Sequence, residues 1–92
     1  MIESFKHRGL KRLFEKGDRS KISPLQLDEI ELILVDLDVA ATIAHLDRPG
    51  YRLHSVRGQM QGYYAIDVSA NWRIVFRFEA GVATDINLVD YH

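Results

Sequence analysis

The chain has 92 residues, of which 47% are hydrophobic and 27% charged, and its formal net charge at pH 7 is −1. This composition is typical of a folded protein and excludes a disordered one, and the length predicts a single domain, residues 1–92. Without cysteine, neither a disulfide framework nor a zinc–thiolate site is available, so the cytoplasm is the expected compartment. The first residues lack the apolar core of a signal peptide, and no apolar run approaches a membrane span.

The net charge is close to zero, but the positively and negatively charged residues lie in different parts of the chain. Residues 1–21 carry seven Lys or Arg against three acids, whereas residues 22–47 carry six acids and no Lys or Arg. Residues 48–92 carry five arginines against four acids. This distribution allows a basic patch beside an acidic helix. The alternative is that both blocks are simply solvated helix faces.

The first half of the chain predicts two helices. Ile2–Phe5 is expected to form a short edge strand, and apolar residues at positions i, i+3 and i+4 then predict an amphipathic helix over His7–Lys16. Gly17 is well placed as a left-handed stop. Val39–Leu46 predicts a further short turn of helix.

The second helix has the clearest start signal. Ser23 is a good N-cap, Pro24 suits the first helical position, and Gln26 completes a capping box. The predicted buried stripe of this helix comprises Leu27, Ile30, Ile33, Leu34 and Leu37.

The second half predicts strands. Tyr51–Val56 is followed by a polar loop at 57–62 and then by Tyr63–Val68, Trp72–Phe78 and Ala83–Val89, which are joined by connections short enough for hairpins. Strict alternation gives these three strands one apolar and one polar face. The predicted apolar face collects Tyr64, Ile66, Val68, Trp72, Ile74, Phe76, Phe78, Thr84, Ile86 and Leu88. The predicted polar face collects Tyr63, Asp67, Arg73, Arg77, Asp85 and Asn87.

These elements predict an α+β fold in which two N-terminal helices pack on one face of a largely antiparallel, four- to five-stranded sheet. The polar face is then available to bind RNA. Candidate functional residues are His54, Arg57, Asn71, Arg73, Asp90, Tyr91 and His92.

This set of side chains suits proton transfer and phosphate stabilisation without a covalent step on the protein. Histidine exchanges protons near neutral pH, arginine matches phosphate oxygens, and tyrosine stacks on a base or hydrogen-bonds a phosphate. The four histidines, at positions 7, 45, 54 and 92, lack the spacing of metal ligands, so we expect no metal and no cofactor.

Each candidate also has a simpler interpretation. His54 suits a surface strand, Asn71 a turn, and Arg73 a solvated cross-strand pair, while Asp90–His92 has the position of a frayed terminus. The residues alone suggest a site directed at phosphate or RNA.

A family resemblance adds to this pattern. The segments Tyr51-Arg52-Leu53-His54, Asn71-Trp72-Arg73-Ile74 and Val89-Asp90-Tyr91-His92, with Gly58 and Gly62 between the first two, closely resemble the HigB toxins of the RelE/ParE superfamily. The likeness covers essentially the whole chain, and the terminal Asp-Tyr-His together with Asn-Trp-Arg is specific.

The resemblance implies a fold similar to small microbial ribonucleases and cleavage of messenger RNA in the A site of a translating ribosome. It implies that His54, Asp90, Tyr91 and His92 form the catalytic group, with Arg73 near the scissile phosphate. It also implies that Asn71 helps read an adenine-favouring codon and that Arg57, where lysine is expected, faces RNA. The implied partner is a helix-turn-helix, HigA-like antitoxin, through which the complex contacts operator DNA.

Two other hypotheses remain open at this point. A toxin of the ParE branch shares this fold and inhibits DNA gyrase without ribonuclease chemistry. A non-toxic binding module would hold RNA passively on the same polar surface.

Overall fold

Two helices and four antiparallel strands make up the part of the chain that the computed structural model describes, residues 1–90. The elements in chain order are α1 (Arg8–Lys16), α2 (Leu27–Val39), β1 (His54–Ser55), β2 (Tyr64–Asp67), β3 (Trp72–Glu79) and β4 (Val82–Asp90). Short 3₁₀ turns occupy Ile43–Leu46 and Gly58–Met60. The strands form one sheet in the order β1-β2-β3-β4, with every neighbouring pair antiparallel. The predicted α+β fold, with both helices against one sheet face, is confirmed.

The segment before α1 lies along the free edge of β4. Ile2 and Phe5 make isolated parallel bridges to Ala83 and Ile86, so the predicted edge strand exists as two contacts rather than a continuous ladder. Within residues 1–90 no helix is long and apolar enough to cross a bilayer.

The main core lies between the helices and the sheet. Its fully buried side chains include Leu10 of α1, Ile30, Ile33 and Leu37 of α2, and Ile66, Ile74, Phe76 and Ile86 of the strands. The predicted α2 stripe is therefore confirmed. Each such side chain stabilises the fold by about 1.5–3 kcal/mol when it leaves water.

The start of α2 differs from the prediction. The helix begins at Leu27, with Gln26 as its N-cap residue, and residues 23–26 form a turn closed by the Gln26 amide donating to the Ser23 carbonyl at 2.9 Å. The capping-box prediction is wrong because the Gln26 side chain instead donates to Ser69 Oγ at 3.2 Å. A hydrogen bond to a distant segment of the chain therefore replaces the local hydrogen bond of the capping box.

A bulge in β4 changes which residues face the helices. Arg77 pairs with Thr84 and Val75 with Asn87, so one extra residue of β4 lies between these pairs. Asp85 occupies the bulge with φ of 54°. Ala83, not Thr84, is therefore fully buried beneath the helices, and the prediction for Thr84 is wrong.

The sheet side opposite the helices, called here the second face, is partly covered. Ala65 and Val75 at its centre are fully buried, and they pack with Val56 and Tyr63 in a small apolar cluster. The connection between β1 and β2 supplies the cover, because Met60 packs on this cluster. The prediction of an open polar face is thus wrong at its centre, and charged groups lie at its two ends.

Candidate active site

One carboxylate at the end of the second face holds two guanidinium groups. Asp67 Oδ1 lies 2.9 Å from Arg73 Nε, and Asp67 Oδ2 lies 3.4 Å from Arg52 Nε. The side chains of Arg73 and Asp67 are 22% and 19% exposed, whereas that of Arg52 is 81% exposed. Two positive charges around one negative charge leave a net positive site that can receive an anion.

The hairpin register produces the Asp67–Arg73 pair. The turn at 69–71 is closed by the Val68 amide donating to the Trp72 carbonyl at 2.9 Å. The next pair outward from the turn is Asp67 with Arg73, and directly opposed residues project from the same sheet face.

Arg52 reaches this pair from a strained loop position. The amide of Asp67 donates to the carbonyl of Tyr51 at 2.8 Å, which fixes the chain just before Arg52 against the end of β2. Arg52 itself adopts φ of 50°, a left-handed conformation that is uncommon for a residue with a Cβ atom.

His54 lies on the same face as Arg73. It is exposed on β1 and pairs with Ala65, two residues before Asp67, so its Cα is diagonal to that of Asp67 at roughly 7–8 Å. Its Nδ1 lies 2.9 Å from the carbonyl oxygen of Arg52. Because a carbonyl oxygen only accepts hydrogen bonds, Nδ1 is the donor in this contact, and in the neutral tautomer with this donor the lone pair lies on Nε2.

Of the other predicted site residues, Asn71 is exposed in the β2–β3 turn at this end of the sheet. Arg57 is exposed in the connection from β1 to β2, which begins at the opposite end of β2, because the Val56 amide donates to the Tyr63 carbonyl at 2.8 Å. Asp90 ends β4 opposite Trp72, so it shares the sheet end with Arg73 while strand alternation directs it towards the other face. Tyr91 and His92 lie outside the described residues.

A second charged cluster occupies the other end of the second face. Lys6 Nζ donates to the Tyr63 hydroxyl at 2.9 Å, and that hydroxyl lies 3.5 Å from Asp85 Oδ2. The guanidinium of Arg77 stands 5.4 Å from the centre of the Tyr63 ring. The hydrogen bond to Tyr63, aided by the Asp85 carboxylate and opposed by Arg77, raises the pKa of Lys6 above its ordinary value.

Cationic side chains outnumber carboxylates on the second face. The cations on it and on its covering loop are Lys6, Arg52, Arg57, Arg73 and Arg77, and the carboxylates are those of Asp67, Asp85 and, in the groove beside Arg77, Glu3 and Glu79. Their net charge is +1, and the arginines supply the planar groups that match phosphate oxygens. Within residues 1–90 no three carboxylate or imidazole groups converge as metal ligands would.

A groove beside the Arg52–Asp67–Arg73 cluster offers room for a nucleotide. Its volume is about 500 Å³, within the range of small-molecule sites, and it is lined by Arg52, Asp67 and the turn residues Ser69 and Ala70, together with Glu29 of α2. The exposed Asn71 follows Ala70 in the same turn.

Comparison with known proteins identifies the family. The model of the HigB-like toxins, described as RelE-like toxins of type II toxin–antitoxin systems, matches residues 3–92. The chain belongs to this family. A relative from Proteus vulgaris, endoribonuclease HigB, is 48% identical to this HigB-like toxin over 92 residues, which are 100% of both chains. The family resemblance seen in the sequence is confirmed.

Solved structures of other proteins share the fold. A mutant of YafQ from E. coli superposes on the HigB-like toxin with a TM-score of 0.65 at 15% identity, covering 98% of this chain and 91% of that one. A chain of the YoeB–YefM complex from Staphylococcus aureus gives a TM-score of 0.58 at 14% identity, covering 100% of this chain and 95% of that one.

Sequence reasoning gave no role to Arg52 or Asp67 of the HigB-like toxin. Asp67 was assigned to the polar face, and Arg52 was noted only as part of a motif. Counting outward from the predicted turn at 69–71 would have paired Asp67 with Arg73. The reach of Arg52 depends on its left-handed backbone, for which the sequence gives no signal.

Proposed function

We propose that this toxin is an endoribonuclease that cleaves messenger RNA in the A site of the ribosome, favouring codons that contain adenine. Its route is attack of a 2′-hydroxyl on the adjacent phosphate, giving a 2′,3′-cyclic phosphate and a free 5′-hydroxyl. Family membership and the full-length relative named as an endoribonuclease favour this activity over gyrase inhibition and over passive RNA binding.

The observation that carries the proposal is the pair of guanidinium groups around Asp67 on the same sheet face as His54. In the crowded phosphorane, negative charge grows on the non-bridging oxygens, and prepositioned donors stabilise it more than they stabilise the ground state. Arg73, held by Asp67, supplies the fixed donor. Arg52, largely exposed and sharing the same carboxylate, supplies a second donor that can rotate towards the phosphate.

His54 has the geometry of the general base. With Nδ1 donating to the carbonyl of Arg52, the lone pair on Nε2 is free to take the proton of the 2′-hydroxyl. The 2′-oxygen then bonds to phosphorus, and the bond from phosphorus to the 5′-oxygen breaks.

The departing 5′-oxygen needs a proton, which we assign to the chain end Asp90, Tyr91 and His92. Asp90 ends β4 one position beyond Val89, which pairs with Arg73, so its backbone lies at the sheet end that carries the guanidinium groups. An imidazole exchanges protons near neutral pH, which gives His92 the chemistry that a general acid requires.

Asn71 and Arg57 are assigned to RNA binding. A side-chain amide matches adenine with two hydrogen bonds, which gives Asn71 a basis for codon preference. Arg57 extends the basic surface along the backbone of the RNA.

Membership of a type II family means that the toxin has an antitoxin partner. We assign this partner to the helix-turn-helix, HigA-like class, with operator DNA bound through the antitoxin. The proposed substrate is a translating ribosome, so we also assign the toxin to the cytoplasm.

The experiment uses ribosomes programmed with a short messenger RNA that places an adenine-containing codon in the A site. We expect a single cut that leaves a 2′,3′-cyclic phosphate, and no cut when a 2′-deoxynucleotide replaces the attacking ribose. Equal cutting of the deoxy-substituted RNA would overturn the route. Intact RNA together with inhibition of gyrase-catalysed supercoiling would overturn the activity itself.

A further inference from the structure

The outward side of α2 carries a row of exposed apolar side chains. Leu32, Val35 and Val39 are 61%, 58% and 71% exposed, and their spacing places them on one side of the helix. The opposite side of α2 supplies the buried stripe, so the helix is apolar on two sides. Single exposed hydrophobic residues need no explanation, but a contiguous row on one element marks an interaction surface.

Carboxylates flank this row. The α2 surface is defined as Leu32, Val35 and Val39 with Asp28, Glu31 and Asp38 around them. Arg19 lies 3.5 Å from Asp28 and 3.3 Å from Glu31 and neutralises part of their charge. Counting all five acids of α2 against Arg19 and Arg48, which binds Asp36 at 3.0 Å, leaves a net charge of −3.

The negative charge of the α2 surface limits the kinds of partner that can bind there. RNA and anionic lipid would be repelled, and a second copy of the chain would bring −3 against −3. A partner helix that presents cationic side chains around an apolar row matches both the charge and the apolar character of this surface.

We propose that the α2 surface is a docking site for a basic amphipathic helix of the antitoxin. The apolar side chains of that helix cover Leu32, Val35 and Val39, and its Lys or Arg side chains pair with Asp28, Glu31 and Asp38. An antitoxin partner follows from the family alone, so this surface stands whether or not the toxin cleaves RNA.

The affinity test uses the purified product of the reading frame adjacent to the toxin gene, titrated calorimetrically into the full-length toxin. Val35→Ser combined with Leu32→Ser should raise Kd roughly tenfold or more, as expected for a central apolar contact. Glu31→Lys should raise Kd most at low salt, because like charges then face each other. Leu25→Ser is the matched control, since Leu25 is 97% exposed but lies outside the α2 surface.

An unchanged Kd in both altered toxins would overturn the proposal. A photoreactive residue in place of Val35 provides a second test in cells that express the complete operon. A crosslink to the antitoxin supports the assignment, whereas a crosslink to a second toxin copy or to ribosomal RNA overturns it. Neither readout depends on cleavage activity.

Discussion

Arg73 Nε lies 2.9 Å from Asp67 Oδ1 across the β2–β3 hairpin, and both side chains are about four-fifths buried. The pair sits next to a tight turn, so its backbone positions are fixed by a few hydrogen bonds. Arg52 approaches the same carboxylate from a separate loop. A single aspartate therefore sets the positions of two cations that the proposed chemistry requires.

Asp67→Asn should lower the single-turnover cleavage rate by about 10–100-fold, because misplacing a prepositioned guanidinium by an ångström costs about that much. The concentration of toxin giving half the maximal rate should change little, since the positive charges remain. Asp85→Asn is the matched control, because Asp85 is a carboxylate at the opposite end of the same face. Equal rates in the wild type and Asp67→Asn would contradict the positioning role.

Arg52 should show opposite effects on stability and activity. Arg52→Gly removes a Cβ from a residue with φ of 50°, and the free energy of unfolding should rise by about 1 kcal/mol. Loss of the exposed ion pair with Asp67 offsets little of this gain. The cleavage rate should fall at the same time, as measured beside thermal or urea unfolding of the same preparation. Arg52→Lys, which keeps the charge but not the planar fork, should be intermediate in rate.

The bulge residue Asp85 provides a test of the β4 register. Asp85→Ala should lower the free energy of unfolding by about 1 kcal/mol, because alanine tolerates φ of 54° poorly. Asp85→Gly and Asp85→Asn should be close to the wild type, since glycine and asparagine adopt this conformation readily. Urea unfolding of the three variants measures whether their free energies of unfolding follow this order. Equal stability of the alanine and glycine variants would contradict a left-handed bulge.

His7 should make stability depend on pH. Its Nδ1 accepts from the Leu10 amide at 3.1 Å, and burial lowers the pKa of His7 below its ordinary value of 6.5. Below pH 6.5 the unfolded chain binds a proton that the folded chain resists, so the free energy of unfolding falls as the pH drops through this value and below.

His7→Asn tests this dependence. Asparagine is a good N-cap that does not titrate, so the variant should unfold with a flatter pH profile between neutral and mildly acidic conditions. His45→Asn is the control for loss of an exposed histidine. If the free energy of unfolding of His7→Asn changed with pH as steeply as that of the wild type, the assignment of this pH dependence to His7 would be contradicted.

The sequence predicted those parts of the fold that depend on periodicity. The buried stripe of α2 and the alternation through Trp72–Phe78 are set by burial on one face, so pattern alone identifies them. The left-handed Gly17 at the end of α1, with φ of 67°, also follows from local chemistry.

The failures involve contacts between distant segments. The capping box failed because Gln26 bonds to Ser69 from another element, and Thr84 was misplaced because one left-handed residue shifts the alternation by one. The second face looked open because the sequence gives no sign that the β1–β2 connection folds back over Ala65 and Val75. In the site, residue types predicted the chemistry, but the link between Arg52, Asp67 and Arg73 depends on loop geometry.

The measurement that tests the central claim most directly is cleavage on programmed ribosomes by the wild type, His54→Ala and Arg73→Ala. Arg48→Ala is the control, because it removes a guanidinium that binds Asp36 of α2, away from the second face. We predict losses of about 100-fold or more for His54→Ala and Arg73→Ala, as is typical when a proton acceptor or a charge-stabilising donor is removed. Arg48→Ala should cut at nearly the wild-type rate. Undiminished cleavage by both His54→Ala and Arg73→Ala, with folding intact, would contradict the account.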